Sequence, residues 1–297
     1  MNGHFFSDES IKFIKQWTKE VHMRIHNNNL NLRQIAESGQ CFRMNPIAEN
    51  SYGLVAFDSY IELEQVEEDL IEINCSDNDY ISIWKEYFDL DYDYGSIVDS
   101  LKEGSDEFLR EAAIYGSGIR ILRQEPFEML ISFIISQNKN IPSIKACIER
   151  ICQGYGKKLI DDKTGKTYYT FPTAEKLANA KQDDLRALKL GYRDEYIIGA
   201  ARRVLNGEID FDYLKTCSHE EAVETLKKIR GIGDKVANCI SLFGLHHIEA
   251  FPIDIWMKRV LSDIYDNKFD PGRYQGYAGI VQQYMFYYIR YINGVKS

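Results

Sequence analysis

The sequence predicts an α+β protein in which an N-terminal antiparallel β-sheet domain, residues 1–115, packs on a mainly helical domain, residues 116–297. Three observations carry this prediction. Residues 41–75 alternate apolar and polar side chains, as in Ile61-Glu62-Leu63-Glu64 and Ile71-Glu72-Ile73-Asn74, the period of half-buried strands. From about Asp79 onward apolar residues instead recur at three- and four-residue intervals. No low-complexity linker or repeat interrupts the 297 residues, so the two parts are expected to share an interface, with the seam near residue 115.

The alternating stretch supplies the sheet. The helical pattern falls in 105–115, 125–137, 141–153, 193–205, 218–229, 234–244 and 275–292. Pro126 and Pro142 lie near helix starts, where a missing N–H costs nothing, while Pro252 and Pro271 follow loops.

Charge is unevenly spread. The formal net charge is −9, but residues 1–115 hold 9 Lys and Arg against 23 Asp and Glu, while residues 116–297 hold 27 against 22. Only the second part suits a polyanionic partner; the acidic first part reads as a solvated surface. The six cysteines (41, 75, 147, 152, 217 and 239) are too scattered for a zinc or iron–sulfur quartet and read as buried free thiols. No stretch approaches the roughly 18 apolar residues of a membrane span, and the N-terminus lacks a basic segment followed by an apolar one. A monomer of the cytoplasm, associated with the nucleoid and not with a membrane, is expected.

The most informative segment runs from Leu226 to Phe243: two amphipathic helices joined by Gly231-Ile232-Gly233. The glycines permit a tight turn and a close approach to a phosphate, and the N–H groups opening the second helix have no intrahelical partners. Such a hairpin grips DNA backbone without reading sequence. From the turn alone, an ordinary helical hairpin with a glycine C-cap stays open.

Nineteen residues after Lys235 stands Asp254, within Phe251-Pro-Ile-Asp-Ile-Trp256 and in the place of a helix N-cap. Taken singly, Lys235 is an exposed helical lysine and Asp254 a plain cap; together they point to chemistry. A lysine in the first turn of a helix feels the positive end of its dipole, which favours a nucleophilic neutral amine. Hairpin, lysine and aspartate together resemble the helix-hairpin-helix glycosylases that use a lysine nucleophile. That resemblance implies attack at a sugar C1′ that expels the base and leaves an imine prone to eliminate the 3′-phosphate, with the Asp254 carboxylate stabilising positive charge on the sugar.

Hairpin, Lys235 and Pro-x-Asp segment together resemble the helix-hairpin-helix glycosylase superfamily, and within it the 8-oxoguanine DNA glycosylase/lyase family, over about residue 30 to the C-terminus. Four further segments carry the resemblance. Ser38-Gly-Gln-Cys-Phe-Arg43 implies that the Gly39 carbonyl accepts N7–H of the oxidised base. Gly118 to Pro126 and Ile134 to Asn140 imply that Asn138 faces the gap left by the flipped nucleotide. Leu190 to Tyr196 implies that Tyr192 wedges into the stack and Arg193 contacts the estranged cytosine. Gly276 to Phe286 implies that Phe286 stacks on the base, Gln282 reads its Watson–Crick edge and Cys239 forms the opposite wall.

The family implies duplex DNA with 8-oxoguanine opposite cytosine as partner, and no metal or cofactor. This sequence departs from it at Ser143, where the animal enzymes carry an arginine that enforces cytosine, at Trp256 in place of a histidine, and at pocket residue Phe243 in place of a methionine. Residues 1–28 carry no recognised motif. The rivals are a helix-hairpin-helix glycosylase for another lesion, whose usual C-terminal cysteine quartet or missing lysine does not fit here, and a non-catalytic DNA-binding module that keeps the hairpin alone.

Overall fold

In the computed structural model, residues 22–295 are described. The first unit is a five-stranded antiparallel sheet of order β1-β5-β4-β3-β2, formed by β1 (His22–His26), β2 (Met44–Ala48), β3 (Ser51–Ala56), β4 (Ser59–Gln65) and β5 (Leu70–Asn74). Period-2 alternation holds in β4, where Ile61 and Leu63 are buried between half-exposed Glu62 and Glu64. Phe57 and Asp58 both take positive φ, giving the two-residue turn whose twist matches the β3–β4 hairpin. Strand β1 lies in a stretch that matched nothing at the sequence level, and pairs with β5 from His22↔Asn74 to His26↔Leu70. The rest of that stretch, residues 1–21, lies outside the described residues.

Between β1 and β2 the short helix α1 (Leu32–Glu37), capped by Asn31, buries Leu32, Ile35 and Ala36 against the sheet. The following turn carries Gly39. Helices α2 (Tyr94–Glu103) and α3 (Glu107–Tyr115) lead to an extended crossing at residues 117–125. That crossing ties the parts together through fully buried Arg120, whose guanidinium donates to the carbonyls of Phe88 (2.9 Å), Asn29 (3.2 Å), Tyr92 (2.9 Å) and Asp89. Its Leu122 enters the core beneath the sheet, while Phe42 from the sheet side enters the helical core.

The helical part comprises α4 (Pro126–Ser136), α5 (Ile141–Tyr155), a small hairpin of β6 (Lys158–Ile160) and β7 (Thr167–Tyr169), α6 (Arg193–Leu205), α7 (His219–Lys227), α8 (Asp234–Phe243), α9 (Ile255–Arg259) and α10 (Ala278–Ile292). Pro126 occupies the first turn of α4, and Asn140 caps α5 by accepting from Ser143 N at 3.0 Å. Helix α4 is buried almost all round and forms the axis of this core, touching α5, α6 and α8. No helix among the described residues is long and apolar enough to cross a membrane.

Candidate active site

The hairpin forms as its sequence dictates. Helix α7 ends at Lys227, the chain turns through Gly231 at φ +91°, and α8 begins after Gly233. Gly231 is required twice over: its φ lies in the left-handed region, and a Cβ there would stand 2.5 Å from the ring of Tyr196. Gly233 is the N-cap of α8 and supplies no capping side chain, so the opening amides lack a side-chain acceptor, and a Cβ at Gly233 would meet nothing within 4 Å.

Lys235 sits in the first turn of α8, half-buried, with Nζ 5.4 Å from the centroid of the Phe133 ring on α4. One turn on, Cys239 is buried; burial pushes its thiol up, the nearby Lys235 side chain pulls it down, and the Asp254 carboxylate pushes it up again. All three groups therefore share one electrostatic neighbourhood. Phe243, a further turn along, is buried and stacks on Phe133 at 5.5 Å and 18°.

Asp254 is the N-cap of α9, its Oδ1 accepting from Trp256 N at 3.0 Å and Met257 N at 2.8 Å. The loop before it is tied to α10, because Gln282 Nε2 donates to the Pro252 carbonyl at 3.0 Å while Gln283 Nε2 donates to Gln282 Oε1 at 3.1 Å. Gln282 is thus buried and held at both ends of its amide, with one N–H of Nε2 left over. Four residues along, half-buried Phe286 meets the Gly39 turn. Gly39 has φ +78°, and a Cβ there would stand 3.3 Å from both Phe286 Cε1 and Ile141 Cδ1. Gln40 anchors that turn, its amide bonding Arg120 O at 2.8 Å and Leu122 N at 2.9 Å.

A second cluster lies around the hairpin turn. Asn138, at φ +54°, exposes a side chain whose Nδ2 donates to Tyr192 Oη at 3.3 Å, and the Tyr192 ring is 51% exposed. Gln137 joins this turn to the hairpin by donating to Gly231 O at 3.0 Å. Arg193 departs from the expectation of a guanidinium held out toward an estranged base. It is buried, donating to Leu190 O at 3.1 Å and to Gln137 O, with its guanidinium carbon 4.5 Å from the Tyr192 ring centroid. The reason is local: Gln137 caps the C-terminus of α4, where carbonyls lack intrahelical donors, and the guanidinium donates to the Gln137 carbonyl while its buried Nε finds no partner.

Ser143 is exposed in the first turn of α5, and Trp256 is half-buried beneath the Arg259 guanidinium at 4.8 Å. Sequence reasoning missed Phe133 and Ile141 and gave no role to Gln137 and Tyr196 within the segments it cited, because their contacts arise only from packing.

The hairpin, its first-turn lysine and the aspartate that caps α9 define a base excision DNA repair protein of the helix-hairpin-helix class, and residues 131–275 match the family described as HhH-GPD superfamily base excision DNA repair protein. Residues 22–130 match the 8-oxoguanine DNA glycosylase N-terminal domain. The N-glycosylase/DNA lyase of Saccharomyces cerevisiae is 33% identical over 267 residues, 82% of this chain and 70% of the yeast protein. A solved structure of MBOgg1 in complex with a low-affinity DNA ligand superposes with TM-score 0.86 at 37% identity, covering 93% of this chain and 97% of the other. The Clostridium acetobutylicum 8-oxoguanine glycosylase/lyase, solved with duplex DNA containing cytosine opposite 8-oxoguanine, gives 0.83 at 38% identity, covering 89% and 93%. The chain belongs to the 8-oxoguanine DNA N-glycosylase/DNA lyase family of repair enzymes.

Proposed function

We propose that this enzyme flips 8-oxoguanine out of duplex DNA opposite cytosine, breaks its N-glycosidic bond through a Schiff base on Lys235, and nicks the strand by β-elimination. The observation that carries this reading is the position of Lys235 in the first turn of α8, at a helix N-terminus with no capping side chain and over the Phe133 ring, with Cys239 one turn on and Asp254 near enough to act on that thiol. The hairpin amides of Gly231, Gly233, Asp234 and Lys235 suit a DNA phosphate, that of Ile232 already donating to the Ile229 carbonyl. A phosphate there would place the deoxyribose of the extruded nucleotide over the amine.

The neutral Nζ attacks C1′ and the base leaves with the bonding electron pair. Loss of a proton from nitrogen and opening of the sugar give the imine, and removal of a C2′ proton then expels the 3′-phosphate. Asp254 spends Oδ1 on its helix cap, and its second oxygen stabilises positive charge on the sugar.

The base is assigned to the space between Cys239 and Phe286, whose ring provides the stacking face. The Gly39 carbonyl accepts N7–H, a proton that undamaged guanine lacks, and Gln282 offers its remaining N–H to the Watson–Crick edge. Asn138 and Tyr192 fill the vacated stack. Arg193 supports their turn here, and because it is buried a contact with the orphaned cytosine requires the guanidinium to move outward.

The test is single-turnover base release from duplexes carrying 8-oxoguanine opposite each base in turn, beside undamaged guanine, for the native protein and Gly39→Ala. Release is expected fastest opposite cytosine, absent from undamaged guanine, and strongly reduced by the substitution. Comparable release of undamaged guanine would sink the assignment.

A further inference from the structure

Arg290 lies on α10 one turn beyond Phe286 and is buried, an uncommon position for a guanidinium. Its NH1 donates to the carbonyl of Glu37 at 2.9 Å, and its guanidinium carbon stands 5.1 Å from the Phe286 ring centroid. The neighbouring Tyr287 donates its hydroxyl to Glu37 Oε2 at 3.2 Å. Glu37 ends α1, two residues before Gly39, and Gly39 itself rests against the edge of the Phe286 ring. One turn of α10 therefore holds the Gly39 turn from two sides: by its ring, and by hydrogen bonds to the end of the preceding helix.

We infer that Arg290 is a positioning residue for lesion discrimination: its fork fixes the Glu37 carbonyl while its plane backs the Phe286 ring, so that the Gly39 carbonyl and the stacking face keep one spacing. This rests on the assignment of the base to that space. The physics favours arginine over lysine, because a planar guanidinium stacks on a ring and donates along a fixed direction at the same time, whereas an ammonium is a point charge on a flexible stem. The alternative is that Arg290 acts only as a positive charge, since the Asp254 and Glu37 carboxylates both lie within its electrostatic reach. The two accounts differ in what lysine restores.

The experiment measures 8-oxoguanine release and, separately, incision at a preformed abasic site, which needs Lys235 and Asp254 but no base, in Arg290→Lys and Arg290→Met. We expect Arg290→Met to lose roughly 10- to 100-fold in base release and less in abasic-site incision, a loss of the size set by one charged hydrogen bond and one cation–ring contact. Arg290→Lys should restore incision to the native rate while base release stays depressed. Native base release in Arg290→Lys overturns the inference in favour of charge alone, and a parallel fall of both activities in Arg290→Met with no selective defect in Arg290→Lys overturns it in favour of general support. Phe286→Ala separates the inference from the reading beneath it. Loss of base release there beside intact release in both Arg290 variants rejects the positioning role alone, whereas intact release in Phe286→Ala rejects the base site as well.

Discussion

Asn138 donates from Nδ2 to the hydroxyl of Tyr192 at 3.3 Å, joining the turn after α4 to the turn before α6 across 54 residues of sequence. Both side chains are exposed, and neither is needed by the core. A polar group beside an exposed ring suits a gap in a base stack better than it suits packing.

Tyr192→Ala should weaken binding to a duplex carrying 8-oxoguanine by about 10- to 100-fold, the range expected for one lost base–aromatic contact, while binding to undamaged duplex changes little. Tyr192→Phe removes only the exposed hydrogen bond and should cost less than about tenfold. Gel-shift titrations on the two duplexes check this. Equal losses on both would assign Tyr192 to general backbone binding.

Asp254 caps α9 and is assigned a chemical task as well, and substitution can separate the two. Asp254→Asn keeps an oxygen to cap α9 but removes the charge, so its melting temperature should stay near native while base release falls by roughly 10²- to 10³-fold. Asp254→Ala should lose comparable activity and about 1 kcal/mol of stability with the cap. Thermal unfolding beside single-turnover kinetics distinguishes the two, and an active Asp254→Asn enzyme would contradict the role of the carboxylate.

Stability should carry a pH dependence from Glu128. Burial pushes this carboxyl up to about 7, against the pull of the buried Arg43 guanidinium 3.7 Å away. The folded carboxyl thus holds its proton where the unfolded one, near its ordinary value of 4.5, has lost it. The stabilisation is full below pH 4.5 and is lost as pH rises through about 7, an effect on the order of 3 kcal/mol. Urea unfolding at pH 5 and pH 8 should show this fall in the native protein and a flatter response in Glu128→Gln. Equal slopes in the two proteins would mean that Arg43 keeps the carboxylate charged throughout.

Much of this architecture was legible because it is locally determined. The hairpin helices expected over 218–229 and 234–244 form as His219–Lys227 and Asp234–Phe243, and Asp254 caps a helix as its spacing implied. Amphipathic period, glycine turns and caps are written in neighbouring residues. Strand β1 was not legible: only Met23 and Ile25 alternate within five residues, and pairing with β5, some 45 residues away, makes it a strand. The burial of Arg193 and Arg290 was equally hidden, since a sequence rates a charged side chain as exposed and does not show the carbonyls that receive it. The contact of Gly39 with Phe286 spans almost the whole chain and rested at the sequence level on family resemblance alone.

The most direct test of the central claim is borohydride trapping on a duplex containing 8-oxoguanine opposite cytosine, comparing the native protein with Lys235→Gln. The account predicts a covalent protein–DNA adduct with the native enzyme and none with Lys235→Gln, whose fold is verified by an unchanged melting temperature. An adduct of equal yield in Lys235→Gln, or base release by the native enzyme without any adduct, would contradict a Schiff base at Lys235.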